Sequence, residues 1–97
     1  MNKIESYMTE ICTKIKERYP EAVIKPSMKS YDTADATIDI YLPYEVDEDF
    51  KSEIGEREIE ILLEDDLFIL TFWFDTEQSW QWLMAQRGQI EQAASTA

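Results

Sequence analysis

Apolar residues recur at spacings of three and four through Ile4, Met8, Ile11, Cys12, Ile15 and Tyr19, one stripe of an amphipathic α-helix that Pro20 stops. Glu10 and Lys14 fall off the stripe in the favourable i,i+4 order. Residues Ala22 to Met28 then read as a short strand, and Pro26 inside it requires an edge position or a bulge. A turn-rich loop is expected over Ser30 to Asp35. From Ala36 to Leu42 the period changes to two, with Ile38, Ile40 and Leu42 on one face and Thr37, Asp39 and Tyr41 on the other. This predicts a half-buried strand that Pro43 ends.

Asp47 is the expected N-cap of a second helix starting at Glu48, with Phe50, Ile54, Ile61 and Leu62 as its buried positions. Gly55 weakens that helix by about 1 kcal/mol. The alternation Glu58-Ile59-Glu60-Ile61 also admits a strand over 58–63; the helix is preferred because Asp65-Asp66 lacks the Gly of a tight hairpin. Leu67 to Phe74 reads as a strand apolar on both faces. Asp75 or Thr76 caps a last helix with Trp80, Leu83, Met84 and Arg87 facing inward, Gly88 ends or kinks it, and 89–97 form a weakly held tail. The expected fold is therefore α/β (α+β): a two-layer domain over 1–88 with a small mixed three-stranded sheet and three helices, in the order α-β-β-α-β-α.

Composition bounds what this domain can do. At 97 residues with 44% hydrophobic and 12% aromatic residues, the chain can bury one modest core. Its longest apolar run, Leu67 to Phe74, is too short to span a bilayer, and no apolar signal segment follows the amino terminus, so a cytoplasmic protein is expected. The formal net charge is −12, which repels nucleic-acid backbones. Eleven carboxylates lie between Glu45 and Asp66 against Lys51 and Arg57 alone. They either form a solvated face that keeps the chain soluble or dock a basic partner, the latter through Asp47, Glu48, Asp49, Glu53, Glu56 and Glu60.

Candidate chemistry is sparse. With no His, one Cys and two Gly, the sequence cannot form a Ser-His-Asp triad, a Cys-rich or His-rich zinc site, a P-loop or a dinucleotide fingerprint. An EF-hand loop from Asp47 fails, because Lys51 falls on a ligand position and Ser52 on the one requiring Gly. Cys12 lies in the apolar stripe and reads as a core thiol. No catalytic residue, metal ligand or cofactor is expected.

The run Lys25-Pro26-Ser27, a loop, and Ala36-Thr37-Ile38-Asp39-Ile40-Tyr41-Leu42 resembles the core of the minimal nucleotidyltransferase family, and the downstream helix, apolar strand and Asp75-Thr76-Glu77-Gln78-Ser79-Trp80 segment extend the likeness over most of residues 4–82. In that family a Gly-Ser pair ends the first strand and an Asp-x-Asp pair on the second holds the metals. Here Asp39 matches, Thr37 stands at the first acid and Lys25-Pro26 replaces the glycine. The resemblance implies a relative that has lost catalysis, because two-metal transfer needs several carboxylates.

Trp73, Trp80 and Trp82 lie within ten positions, and helical geometry separates Trp80 from Trp82 by about 200°. One of them is expected near the surface, and the three are candidates for a homodimer contact. The leading functional expectation is a non-catalytic acidic protein-interaction domain, an inhibitor, immunity or antitoxin-like protein, or an adaptor. The alternatives are a degenerate nucleotide-binding domain and a DNA-mimic inhibitor.

Overall fold

The computed structural model describes residues 2–28 and 34–96, with 88–96 described by backbone alone. Helix α1 (Lys3–Arg18) starts at Asn2, whose side chain accepts the Glu5 amide at 2.9 Å, and its apolar stripe buries Met8, Ile11 and Ile15. Strand β1 (Val23–Ser27) and strand β2 (Ala36–Tyr41) pair antiparallel, from Val23 opposite Tyr41 to Ser27 opposite Thr37. Helix α2 (Glu48–Asp65) is the crossover that lets β3 (Ile69–Phe74) run parallel to β2. Helix α3 (Glu77–Thr96) completes the expected order α-β-β-α-β-α, and the sheet order is β1-β2-β3. Pro26 accordingly lies on an edge strand. The expected loop over 30–33 lies outside the described residues.

Helices α1 and α2 cover one sheet face. Met8, Ile11, Ile15, Phe50, Ile54 and Ile61 pack there with Ala36, Ile38, Ile40 and Ile69. Burying the Met, Ile and Phe side chains among them stabilises the fold by about 1.5–3 kcal/mol each in transfer free energy. Residues 58–63 are helical, as preferred. Asp66 closes α2 in the left-handed region at φ 55°, with its amide on the Leu62 carbonyl, a position Asp tolerates better than most non-Gly residues.

Four expectations change. Strand β2 is central and α3 lies over its other face, with Trp82 stacked on Tyr41, so Thr37 and Tyr41 are buried opposite the isoleucines instead of facing solvent. Leu62 is exposed, because the α2 stripe narrows to Phe50, Ile54 and Ile61. Arg87 is exposed, while Leu83 carries the burial on α3. The α3 backbone also continues through Gly88 to Thr96, because a Gly within a helix lowers stability without imposing a stop. The weak anchoring expected of 89–97 concerns side chains outside the described residues. No helix among the described residues is long and apolar enough to cross a membrane.

Candidate functional site

The carboxylates of α2 are divided by their position on the helix. Glu53 meets Lys14 at 3.3 Å, and Asp47, which also caps α2 by accepting the Asp49 amide, meets Arg18 at 3.6 Å. Arg57 forms a bidentate pair with Glu10 at 2.6 and 2.9 Å, which holds the Glu10 carboxyl below its ordinary range. Lys3 and Tyr7 both reach Asp65, lowering its pKa chiefly through their hydrogen bonds. Three of the eleven carboxylates, Asp47, Glu53 and Asp65, therefore pair with basic residues of α1, while Arg57 of α2 pairs with an acid of α1. Of the six proposed docking residues, Glu48 sits at 3.7 Å from Lys51 and Glu60 at 3.9 Å from Arg57, while Asp49 and Glu56 are exposed with no side-chain ion pair among the described residues.

The second sheet face carries Val23, Lys25, Ser27, Thr37, Asp39, Tyr41, Leu70, Phe72 and Phe74, as the strand register and the two-residue period require. Asp39 sits across from Lys25, and its carboxyl is pushed up by burial against the smaller pull of that lysine. Its strand neighbour Thr37 is buried, so no second acid joins Asp39 at the positions that the nucleotidyltransferase resemblance singled out. Among the described residues, no three His, Cys, Asp or Glu come together in a way that could hold a metal ion. Cys12 packs against the core, and burial pushes its thiol up, away from the reactive thiolate.

The three tryptophans do not share a surface. Trp73 packs edge-on against Phe50 at 6.1 Å, on the face covered by α1 and α2. Trp82 lies on the opposite face, parallel to Tyr41 at 6.4 Å, and Tyr41 in turn stacks on Phe74 at 4.9 Å. Trp80 is half-buried. Tyr41, Phe74, Gln78, Ser79 and Trp82 line an open cleft of about 430 Å³. Thr76 caps α3 by accepting the Ser79 amide at 3.1 Å, which leaves Asp75 to accept the Val46 amide and the Lys51 ammonium instead.

A second hollow of about 150 Å³ follows β3 between Gly55, Glu58, Ile59 and Leu62 of α2 and Phe68, Ile69 and Leu70. Because the side chains of 68, 69 and 70 alternate across the sheet, this groove opens on the edge of the strand. Glu58 lines it. The Thr71 hydroxyl donates to Glu58 Oε1 at 3.1 Å, while Oε2 is buried without a hydrogen-bond partner among the described residues. Burial raises the Glu58 pKa to about 7, against the opposing hydrogen bonds from the Thr71 hydroxyl and amide.

Large apolar side chains remain uncovered on both sides of β3. Phe72 and Trp82 are exposed on the aromatic face, and Ile59, Leu62 and Leu63 form a ridge on the outer side of α2, with Leu63 80% exposed. Sequence periodicity assigned Leu62 to the core and did not single out Glu58, Ile59 or Leu63. The available signal was that Ile59 and Leu63 fall outside the stripe of Phe50, Ile54 and Ile61. Compared with models of protein families, with curated proteins and with solved structures, the chain finds no match.

Proposed function

We propose that this chain is a non-catalytic protein-interaction domain, of the inhibitor or adaptor kind, that docks through the two apolar flanks of β3. The observation that carries this reading is the exposure of Phe72, Trp82, Ile59, Leu62 and Leu63 around one edge strand of a chain with net charge −12. So acidic a chain has ample polar surface, and large exposed side chains grouped about one strand mark an interaction site more than incomplete burial. Asp47, Glu53 and Asp65 are engaged with α1, which leaves exposed carboxylates, Asp49 and Glu56 among them, to act at long range on association rate.

Affinity capture from the native host with matched variants tests the reading. Leu63→Lys and Phe72→Lys alter exposed side chains and should leave the fold intact, yet abolish retention of any partner held by the unaltered chain. Replacing Asp49 and Glu56 by Asn and Gln should slow association at low salt and leave the equilibrium yield nearly unchanged. Retention unaffected by both apolar substitutions would remove this surface from consideration. Incubation with radiolabelled nucleoside triphosphates and Mg²⁺ or Mn²⁺ should leave no label on the chain or its partner.

A further inference from the structure

We infer that the open edge of β3 accepts an extended segment of a partner protein as a fourth strand, and that Glu58 selects a segment carrying Lys or Arg opposite Thr71. This deepens the interaction reading above and rests on it. The carbonyls of Phe68 and Phe74 accept from the amides of Asp35 and Leu42 at 2.8 and 3.1 Å, so the even-numbered residues of β3 turn their backbone groups toward β2. By the alternation of a strand, the N–H and C=O groups of Ile69, Thr71 and Trp73 face the open side. Such an edge is a template for strand addition.

The flanks fit an apolar strand. Residues of an added strand lying beside Leu70 and Phe72 meet the aromatic face, and those beside Ile69 meet the groove walled by Ile59 and Leu62. Gly55 also lines this groove, and a Cβ there would meet nothing within 4 Å, so no contact inside the chain requires a glycine. A glycine in mid-helix lowers stability, and at this position it leaves room for a close approach.

Glu58 sets the chemistry of the occupant. The side chain opposite Thr71 on an added strand falls on the same face as Thr71, directly against Glu58. An incoming carbonyl displaces Glu58 from the Thr71 amide, and an ammonium or guanidinium compensates the carboxylate and supplies the donor that Oε2 lacks. A second copy of this chain is a poor occupant. Antiparallel pairing of two β3 edges about Thr71 would bring two Glu58 carboxylates together at net charge −12 each, and an inward-pointing charge is an established defence against such pairing.

The test uses the full chain, labelled with ¹⁵N, and a short synthetic peptide of Val residues about one central Lys with Thr at both ends. Binding should shift the amide resonances of Ile69, Thr71 and Trp73. A peptide with Glu in place of the central Lys should bind at least about tenfold more weakly, and Glu58→Gln should erase most of that preference. Equal affinity for the two peptides, shifts confined to Tyr41, Phe74 and Trp82, or no binding of either peptide would overturn the inference. An unaltered chain that sediments as a dimer, with the Ile69 and Trp73 amides protected from exchange, would also overturn it by naming a second copy as the occupant. Partner capture that is sensitive to Leu63→Lys while the peptides fail would sink strand addition and leave the interaction reading standing.

Discussion

Glu58→Gln in the isolated chain separates a desolvated carboxylate from a surface one. The Glu58 pKa is pushed from 4.5 to about 7 by burial, against the Thr71 hydrogen bonds, so between those values the folded chain holds a proton that the unfolded chain has released. Stability must therefore fall as pH rises through this window, the reverse of the behaviour of a carboxylate whose pKa is depressed. At about 1.4 kcal/mol per pKa unit, an entirely enclosed group would lose about 3 kcal/mol across it. Glu58 is only partly enclosed, and solvent screening reduces the expected loss to about 1–2 kcal/mol. Gln keeps the shape and cannot ionise. Urea unfolding of both chains at about pH 5 and about pH 8.5 should show the variant gaining about 1–2 kcal/mol on the parent between the two. Of the other shifted carboxylates, Glu10, Asp65 and Asp75 are held low, and Asp39, pushed up by burial, is common to both chains and cancels in the comparison. Parallel stability profiles for parent and variant would show that the carboxylate is solvated at the β3 edge, and the reasoning about its missing partner would fail with it.

Three further substitutions follow from the packing. Gly55→Ala places a methyl in open space on a helix and should raise unfolding free energy by about 0.5–1 kcal/mol; a loss would mean the helix is strained there. Trp73→Ala should cost about 2–4 kcal/mol through the contact with Phe50, whereas Trp82→Ala, at a side chain 55% exposed, should cost under about 1 kcal/mol; equal costs in thermal unfolding would contradict the assignment of the two rings. Asp75→Asn should cost about 1–3 kcal/mol at neutral pH, because it removes the charge that Lys51 and the Val46 amide share; burial alone would push the Asp75 carboxyl up, and these partners hold it down. That contribution belongs to the ionised form and is lost as pH falls through the depressed folded pKa, so the Asn variant should show a weaker loss of stability in acid than the parent.

Element order was legible in the chain because periodicity is a local property. The stripe from Met8 to Ile15, the alternation through Ile38 and Ile40, and the stops at Pro20 and Pro43 depend only on neighbours within a few residues, and each element formed where those neighbours place it. The helix over 58–63 was decided by the same local logic, from the absence of a hairpin Gly at Asp65-Asp66. What periodicity lacks is a partner across the fold. The two-sided burial of β2 came from its place between β1 and β3, with α1 and α2 packed on one face and Trp82 of α3 over the other, which no alternation within 36–41 can state. The acidic run looked like one surface because charge was counted along the chain, yet Arg57 meets Glu10 across 47 residues and Lys3 meets Asp65 across 62. The Coulomb interaction acts on distance in space, so only the docking of α1 beside α2 decided which carboxylates remain free. In the same way, the identity of Glu58 as an acid was plain in the sequence, while its desolvation depended on β3 lying beside α2, and so did the site built around it.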